Sequence, residues 1–168
     1  AKVSAVTLPN GRRVPMVPIK ADDAQIDHDQ LWAQMFAGDW PKKIDNYTQE
    51  QIISACRDGG LVGLGGAAFP THVKLSIPEG KHIDTLLVNG CECEPYLTAD
   101  YRVMLESPAS VVSGTLLAAK AVGASQVVIA IESNKPVAIE KLREAASGTS
   151  IQVLSMPTKY PMGGERQL

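Results

Sequence analysis

The residues best equipped for chemistry lie in one stretch, residues 59–95. It opens GGLVGLGGAAFPTHVK, passes through the apolar run DTLLVN and closes on GCECEP. Gly59, Gly60, Gly63, Gly65 and Gly66 let backbone approach a ligand closely and tolerate φ > 0. Phe69, Lys74, Asn89, Glu92 and Glu94 add an aromatic face, a cation, an amide and two carboxylates. That inventory suits a phosphorylated, aromatic, hydrogen-bonding ligand such as a flavin or a nicotinamide nucleotide. Lys74 follows Phe69-Pro70-Thr71, where a short helix can begin, and a helix N-terminus beside a lysine makes a phosphate site. Asn89 offers both a donor and an acceptor. In extended chain Glu92 and Glu94 face one way and Cys91 and Cys93 the other. Plainer roles exist for each: an ordinary loop, a solvated lysine, a strand-end turn asparagine.

Other chemistries find less support. His28, His72 and His82 form no triad with any serine or cysteine, so a hydrolase is not indicated and no catalytic residue is assigned. Cys56, Cys91 and Cys93 are an odd set that makes a poor disulfide framework and fits a reducing compartment. They fall short of the four thiolates of an iron–sulfur cluster, and Cys-x-Cys alone is an incomplete metal site, so no metal ligand is assigned. Cys56 reads as a small buried hydrophobe.

A chain of 168 residues, 45% hydrophobic and 20% charged, is one ordinary domain with a small appendage. It buries roughly 70% of its unfolded surface without staples. A net charge of −2 and a pI near 5.9, with no basic stripe, give no electrostatic reason to expect nucleic acid. No run of 18 apolar residues exists, so direct membrane insertion is not expected. The start at Ala1 and the stop just after GGERQL suggest a piece of a longer polypeptide.

The elements that must position these residues follow from local signals. Residues 1–46 read as a β-hairpin or extended arm, with a two-residue turn at Asn10-Gly11 and edge strands marked by Pro9, Pro15 and Pro18. A short helix is predicted over 30–37, with Trp32, Met35 and Phe36 on one face. Thr48 and Gln51 form a capping box, and Gly59-Gly60 ends that helix. Strands are predicted over 82–88, 126–131 and 150–154, and helices over 98–106, 108–121 and 135–146. The glycine run has no preceding strand, so it is not the dinucleotide fingerprint. Residues 89–94 sit at a strand's carboxyl end, where open α/β sheets place ligands. The expected fold class is α/β, an open, mostly parallel, Rossmann-like three-layer sheet over 47–168, with right-handed crossovers.

Three motifs in order, GLVGLGGAAFPTHVK, LLVNGCECEPYLTADYRVMLE and YPMGGERQL, closely resemble the C subunit of the Rnf electron-transport complex. They resemble more distantly the NADH-oxidising flavoprotein subunit of respiratory complex I. The resemblance covers about residues 48–168. It implies a flavoprotein oxidoreductase subunit that binds FMN, exchanges hydride with NADH or NAD⁺, and passes single electrons to iron–sulfur clusters. The 4Fe–4S clusters would lie in the parent protein, outside this chain. By this resemblance Gly63, Gly65, Gly66 and Lys74 hold the phosphate side of FMN. Asn89 and Glu92 line the flavin, while Gly164 and Glu165 close over it. Phe69 and Glu94 contact the nicotinamide nucleotide. The partners implied are the other subunits of a membrane electron-transport, ion-translocating complex. The location implied is peripheral, on the cytoplasmic face of the inner (plasma) membrane.

The chain departs from the pattern at three places. Leu64 stands where complex I relatives carry Arg, Cys91 where they carry Asp and Rnf relatives Ala, and Ile77 where an aromatic would sandwich adenine. The resemblance also implies a flavin site completed beyond Leu168, so that this fragment by itself is incomplete as an enzyme. A cobalamin reductase, a hydrogenase diaphorase subunit, or a docking module keeping the fold are the alternative readings.

Overall fold

The computed structural model describes residues 3–36, 38 and 40–168, the side chains of Met35 and Phe36 excepted. The chain falls into two units, Ala1–Met35 and Phe36–Leu168. In the first, β1 (Ser4–Thr7) pairs antiparallel with β2 (Arg13–Met16), Ser4 opposite Met16 and Thr7 opposite Arg13. The turn is longer than the expected two residues. Leu8 N donates to Arg12 O and Gly11 N to Leu8 O, both at 2.9 Å, and Gly11 adopts φ 78°. Pro9, with φ held negative by its ring, sits inside the Leu8–Gly11 turn, which leaves the left-handed position to Gly11. α1 (His28–Phe36) starts two residues before the predicted helix, because Asp27 caps it, its carboxylate accepting from Asp29 N at 2.9 Å. Ala37, its predicted last residue, lies outside the described residues, as do the Met35 and Phe36 side chains of its predicted apolar face.

The second unit opens on α2 (Gln49–Asp58), and here the capping box is present in full. Thr48 Oγ1 accepts from Gln51 N at 3.2 Å, and Thr48 N donates to Gln51 Oε1 at 2.9 Å. Gly60, at φ 64°, ends the helix with Leu61 N on Cys56 O and Gly60 N on Arg57 O, both at 3.0 Å. Cys56 is only half-buried, contrary to expectation: it lines an apolar groove between α2 and α5 (Pro108–Val122) with Ile52 and Leu117. α3 (Thr71–Leu75) is a single turn.

β3 (Thr85–Asn89), β4 (Gln126–Glu132) and β5 (Ile151–Met156) form a parallel sheet in that order. β3 starts at Thr85, not at 82. Asp84 O is taken by Ser125 N and Gln126 N, and His82 pairs with the Asp84 carboxylate at 3.0 Å in water. α4 (Ala99–Glu106) and α5 connect β3 to β4, and α6 (Pro136–Ala145) connects β4 to β5. Pro108 and Pro136 open their helices, and Gly123 at φ 71° closes α5.

The three helices pack on one another and on one face of the sheet. Leu86, Val88, Val127, Ile129, Ile131, Ile151 and Val153 point to that face and meet Val112, Ile139 and Leu142. Ile129, Ile131 and Leu142 have no accessible surface, and each such side chain contributes about 1.5–3 kcal/mol. The opposite face carries Leu87 and Leu154, 42% and 45% exposed. The expected three layers are therefore two among the described residues. With strands in sequential order and crossovers of one hand, both connections must lie on the same side.

Candidate functional site

β3 ends at Asn89, so residues 90–94 leave the sheet at its carboxyl edge, as the apolar run predicted. Gly90 N donates to Ala130 O at 2.8 Å, and a Cβ on Gly90 would stand 2.9 Å from that oxygen and 3.2 Å from Met104 Sδ. The Asn89-Gly90 pair thus marks a close approach of strands rather than a turn. The Asn89 side chain is committed at both ends. Its Oδ1 accepts from Cys91 N at 3.1 Å, and its Nδ2 donates to Gly163 O at 2.7 Å. That second bond brings the third motif onto the second. Gly163 N in turn donates to Cys93 Sγ at 3.0 Å.

Glu92 and Glu94 part company. Glu94 is exposed, whereas the Glu92 side chain is 5% exposed with both oxygens in use. Oε1 accepts from Asp100 N at 2.8 Å and Tyr101 N at 3.4 Å, capping α4 in place of Thr98, whose own side chain makes no cap bond. Oε2 forms an ion pair with Lys135. Lys135 Nζ also lies 3.3 Å from Glu132 Oε2, which accepts from Glu92 N at 3.2 Å, and it stands 5.8 Å from the Tyr101 ring centroid. Burial pulls the Lys135 ammonium down in pKa, but the hydrogen bonds and charges of Glu92 and Glu132 outweigh it and hold the value above the ordinary lysine range. Asp100 is pushed up, first by burial and then by the Glu92 charge. The buried Cys91 thiol is pushed up too, by burial and then by Glu132, which keeps it a thiol rather than a nucleophilic thiolate.

Beside this network a cavity of about 440 Å³ opens at the carboxyl ends of the strands, within the roughly 300–1,000 Å³ of small-molecule sites. Its wall includes Glu92, Cys93, Glu132, Lys135, Thr158 and Tyr160. Glu132, Lys135 and Thr158 escaped the reading of the sequence, although a signal was available. Glu132-Ser-Asn-Lys135 follows the apolar strand QVVIAI directly, at the same carboxyl edge that singled out residues 89–94.

The glycine loop forms its own cluster. The Val62–Pro70 bridge and Gly63 N on Phe69 O at 2.8 Å close it. Lys74 Nζ folds back over the loop, 2.8 Å from where a Cβ on Gly63 would lie and 6.0 Å from the Phe69 ring centroid. Lys74 forms no salt bridge among the described residues. A Cβ on Gly65 or Gly66 would meet nothing within 4 Å, so the loop tip is open rather than filled by side chains. Leu64 is 95% exposed at that tip. Among the described residues no hydrogen bond or ion pair joins this loop to Asn89, Glu92 or Gly163.

Gly164 sits in a tight turn, its N donating to Pro161 O at 2.8 Å, while Glu165 is exposed. The structure therefore brings together Asn89, Glu92 and the 163–164 turn. It places Gly63, Phe69 and Lys74 in a second group and leaves Glu94 and Glu165 in solvent. Open glycine backbone, a lysine with no carboxylate partner among the described residues, and a cavity of mixed apolar and charged lining at the sheet edge fit a phosphorylated ring ligand such as FMN. Glu92 fits as a wall residue with its carboxylate already occupied. No helix among the described residues is long and apolar enough to cross a membrane.

Comparison with known proteins identifies the family. Residues 56–168 match the family model described as the Nuo51 FMN-binding domain. The chain is 48% identical over 119 residues to the C subunit of the proton-translocating ferredoxin:NAD(+) oxidoreductase complex of Clostridium ljungdahlii, covering 71% of this chain and 26% of that protein. It is 52% identical over 126 residues to the C subunit of the Na(+)-translocating ferredoxin:NAD(+) oxidoreductase complex of Acetobacterium woodii, covering 74% and 28%. The chain thus spans about a quarter of the length of these curated relatives. The solved structure of an air-oxidised NAD+-reducing [NiFe]-hydrogenase superposes with a TM-score of 0.55 at 25% identity, over 70% of this chain and 22% of that one. The H2-reduced form superposes at 0.56 with 22% identity, over 84% and 30%, a likeness of fold.

Proposed function

This chain belongs to the Nuo51 FMN-binding domain family, and from that premise we propose that it is the FMN- and NADH-binding part of the C subunit of an ion-translocating ferredoxin:NAD oxidoreductase. FMN, when bound, supplies the exchange between two-electron hydride chemistry and single-electron transfer. The chain's own residues bind and orient. Gly65 and Gly66 present open backbone, Gly63 lets the lysine lie against the loop, and Lys74 supplies the cation for the phosphate side. Asn89 holds the 163–164 turn, whose Gly164 and Glu165 close over the ring. Phe69 and Glu94, both exposed, are the contacts for NADH or NAD⁺. Electrons leave to 4Fe–4S clusters in the rest of the parent protein. The partners are the other subunits of the complex, at the cytoplasmic face of the membrane.

One observation carries this reading: the Asn89–Gly163 bond assembles the second and third motifs beside a cavity at the sheet's carboxyl edge. The test is a titration with FMN, followed by flavin fluorescence quenching, on this chain and on a chain as long as the curated relatives. Binding by both places the site within these residues. Binding by the longer chain alone shows that the pocket is completed elsewhere in the subunit. Binding by neither overturns the reading and favours a docking module that keeps the fold. The likeness to the NAD+-reducing hydrogenase supports a second reading, a diaphorase-type subunit. An NADH-dependent reduction assay with ferredoxin against hydrogenase-type acceptors separates the two.

A further inference from the structure

The cavity wall contains a buried charge cluster that the motifs do not explain. Glu92 from the β3–α4 connection, Glu132 at the end of β4 and Lys135 just before α6, with side chains 5%, 7% and 11% exposed, meet at the sheet edge. Glu92 spends its oxygens on α4 and on Lys135, whereas Glu132 Oε1 accepts no hydrogen bond from the described residues. Together the three carry one net negative charge, and buried charges are screened far less than exposed ones. Both carboxylates are paired through Lys135, so its ammonium is the charge that offsets them within the buried cluster.

We propose that Lys135 is a charge-setting residue, whose pairing with Glu92 and Glu132 fixes the electrostatic potential on a redox ring in this cavity and so its reduction potential. This rests on the FMN reading above. Taking up two electrons and one proton adds one negative charge to a flavin ring, and protein charge near the ring is a recognised means of tuning it. A wall made more negative therefore weakens binding of the reduced form relative to the oxidised form, and a wall made less negative does the opposite. The other titratable groups near Lys135 are Asp100 and Tyr101 from α4 and Cys91 from the 90–94 segment, and Cys93, Lys159 and Tyr160 also line the cavity.

The experiment is the midpoint potential of bound FMN, by spectroelectrochemistry at pH 8, in whichever chain length binds it. Lys135→Met is expected to weaken reduced FMN at least tenfold relative to oxidised FMN, a fall of about 30 mV for a two-electron couple. Glu132→Gln, which leaves the Glu92–Lys135 pair intact, is expected to shift the potential upward. Lys135→Arg keeps the charge and is expected to keep the wild-type value. A purely structural role moves stability without these opposite shifts. Unmoved potentials, or shifts of the same sign in both variants, overturn the proposal while leaving FMN binding standing. If Lys135→Met does not fold, Glu132→Gln and Lys135→Arg decide it alone. If neither chain length binds FMN, the functional reading falls and this proposal falls with it.

Discussion

Asn89 and Gly163, 74 residues apart, are joined by a 2.7 Å hydrogen bond from the Asn89 side-chain amide to the Gly163 carbonyl. The same side chain holds Cys91 N, so one residue fixes both the exit of β3 and the turn that carries Gly164. Asn89→Ala removes two bonds at a solvent-accessible place. Each is worth about 1 kcal/mol net, so a loss near 2 kcal/mol in urea denaturation is expected. Asn89→Asp keeps the acceptor for Cys91 N but sets a carboxylate against the Gly163 carbonyl. It is expected to lose at least as much FMN affinity as Asn89→Ala. Equal affinity in all three proteins would show that the bond does not position the site.

Gly163 and Gly65 make a contrasting pair. A Cβ on Gly163 would lie 2.8 Å from both Cys91 O and Cys93 Sγ, so the backbone has to move, and Gly163→Ala is expected to cost about 1–3 kcal/mol. Gly65 has open space around it, and Gly65→Ala is expected to change stability by less than about 0.5 kcal/mol. If a ligand approaches the loop tip, Gly65→Ala nonetheless weakens FMN. Unfolding curves and FMN titrations on the same two proteins check both halves.

Lys74 forms no salt bridge among the described residues, so Lys74→Met is expected to leave thermal stability unchanged. A charge-assisted contact to phosphate is worth about 1.5–3 kcal/mol, which is roughly a 10- to 150-fold rise in the FMN dissociation constant. Riboflavin, which lacks the phosphate, is expected to bind wild type and Lys74→Met alike. A variant that weakens both ligands equally would remove Lys74 from the phosphate side.

Lys135 also leaves a mark on stability. Its folded pKa lies above the ordinary value of 10.5, so the stabilisation it supplies is complete below that value and is lost as pH rises through the folded pKa. Lys135→Met strands two buried carboxylates, an expected loss of about 3–5 kcal/mol near neutral pH. Melting temperatures of both proteins from pH 7 to pH 11 test the loss at neutral pH and its decline at high pH.

Much of the fold is legible from neighbours in sequence. The Thr48–Gln51 capping box, the stop at Gly60, Pro108 and Gly123 around α5, and the apolar strand QVVIAI depend on contacts a few residues apart. A strand ending at Asn89 likewise places residues 90–94 at the sheet edge before any partner is known. Tertiary structure alone decided which groups meet there. Whether Glu92 faces a ligand or caps α4 depends on where Lys135, 43 residues on, is delivered by β4. Whether Asn89 is a turn residue or a clasp depends on Gly163 arriving past the end of β5. The single helical face also follows from strand order, since periodicity shows that a strand is buried but not which layer buries it. Helices and caps are short-range bonds within one segment, whereas a buried ion pair exists only once sheet register has brought its partners within reach.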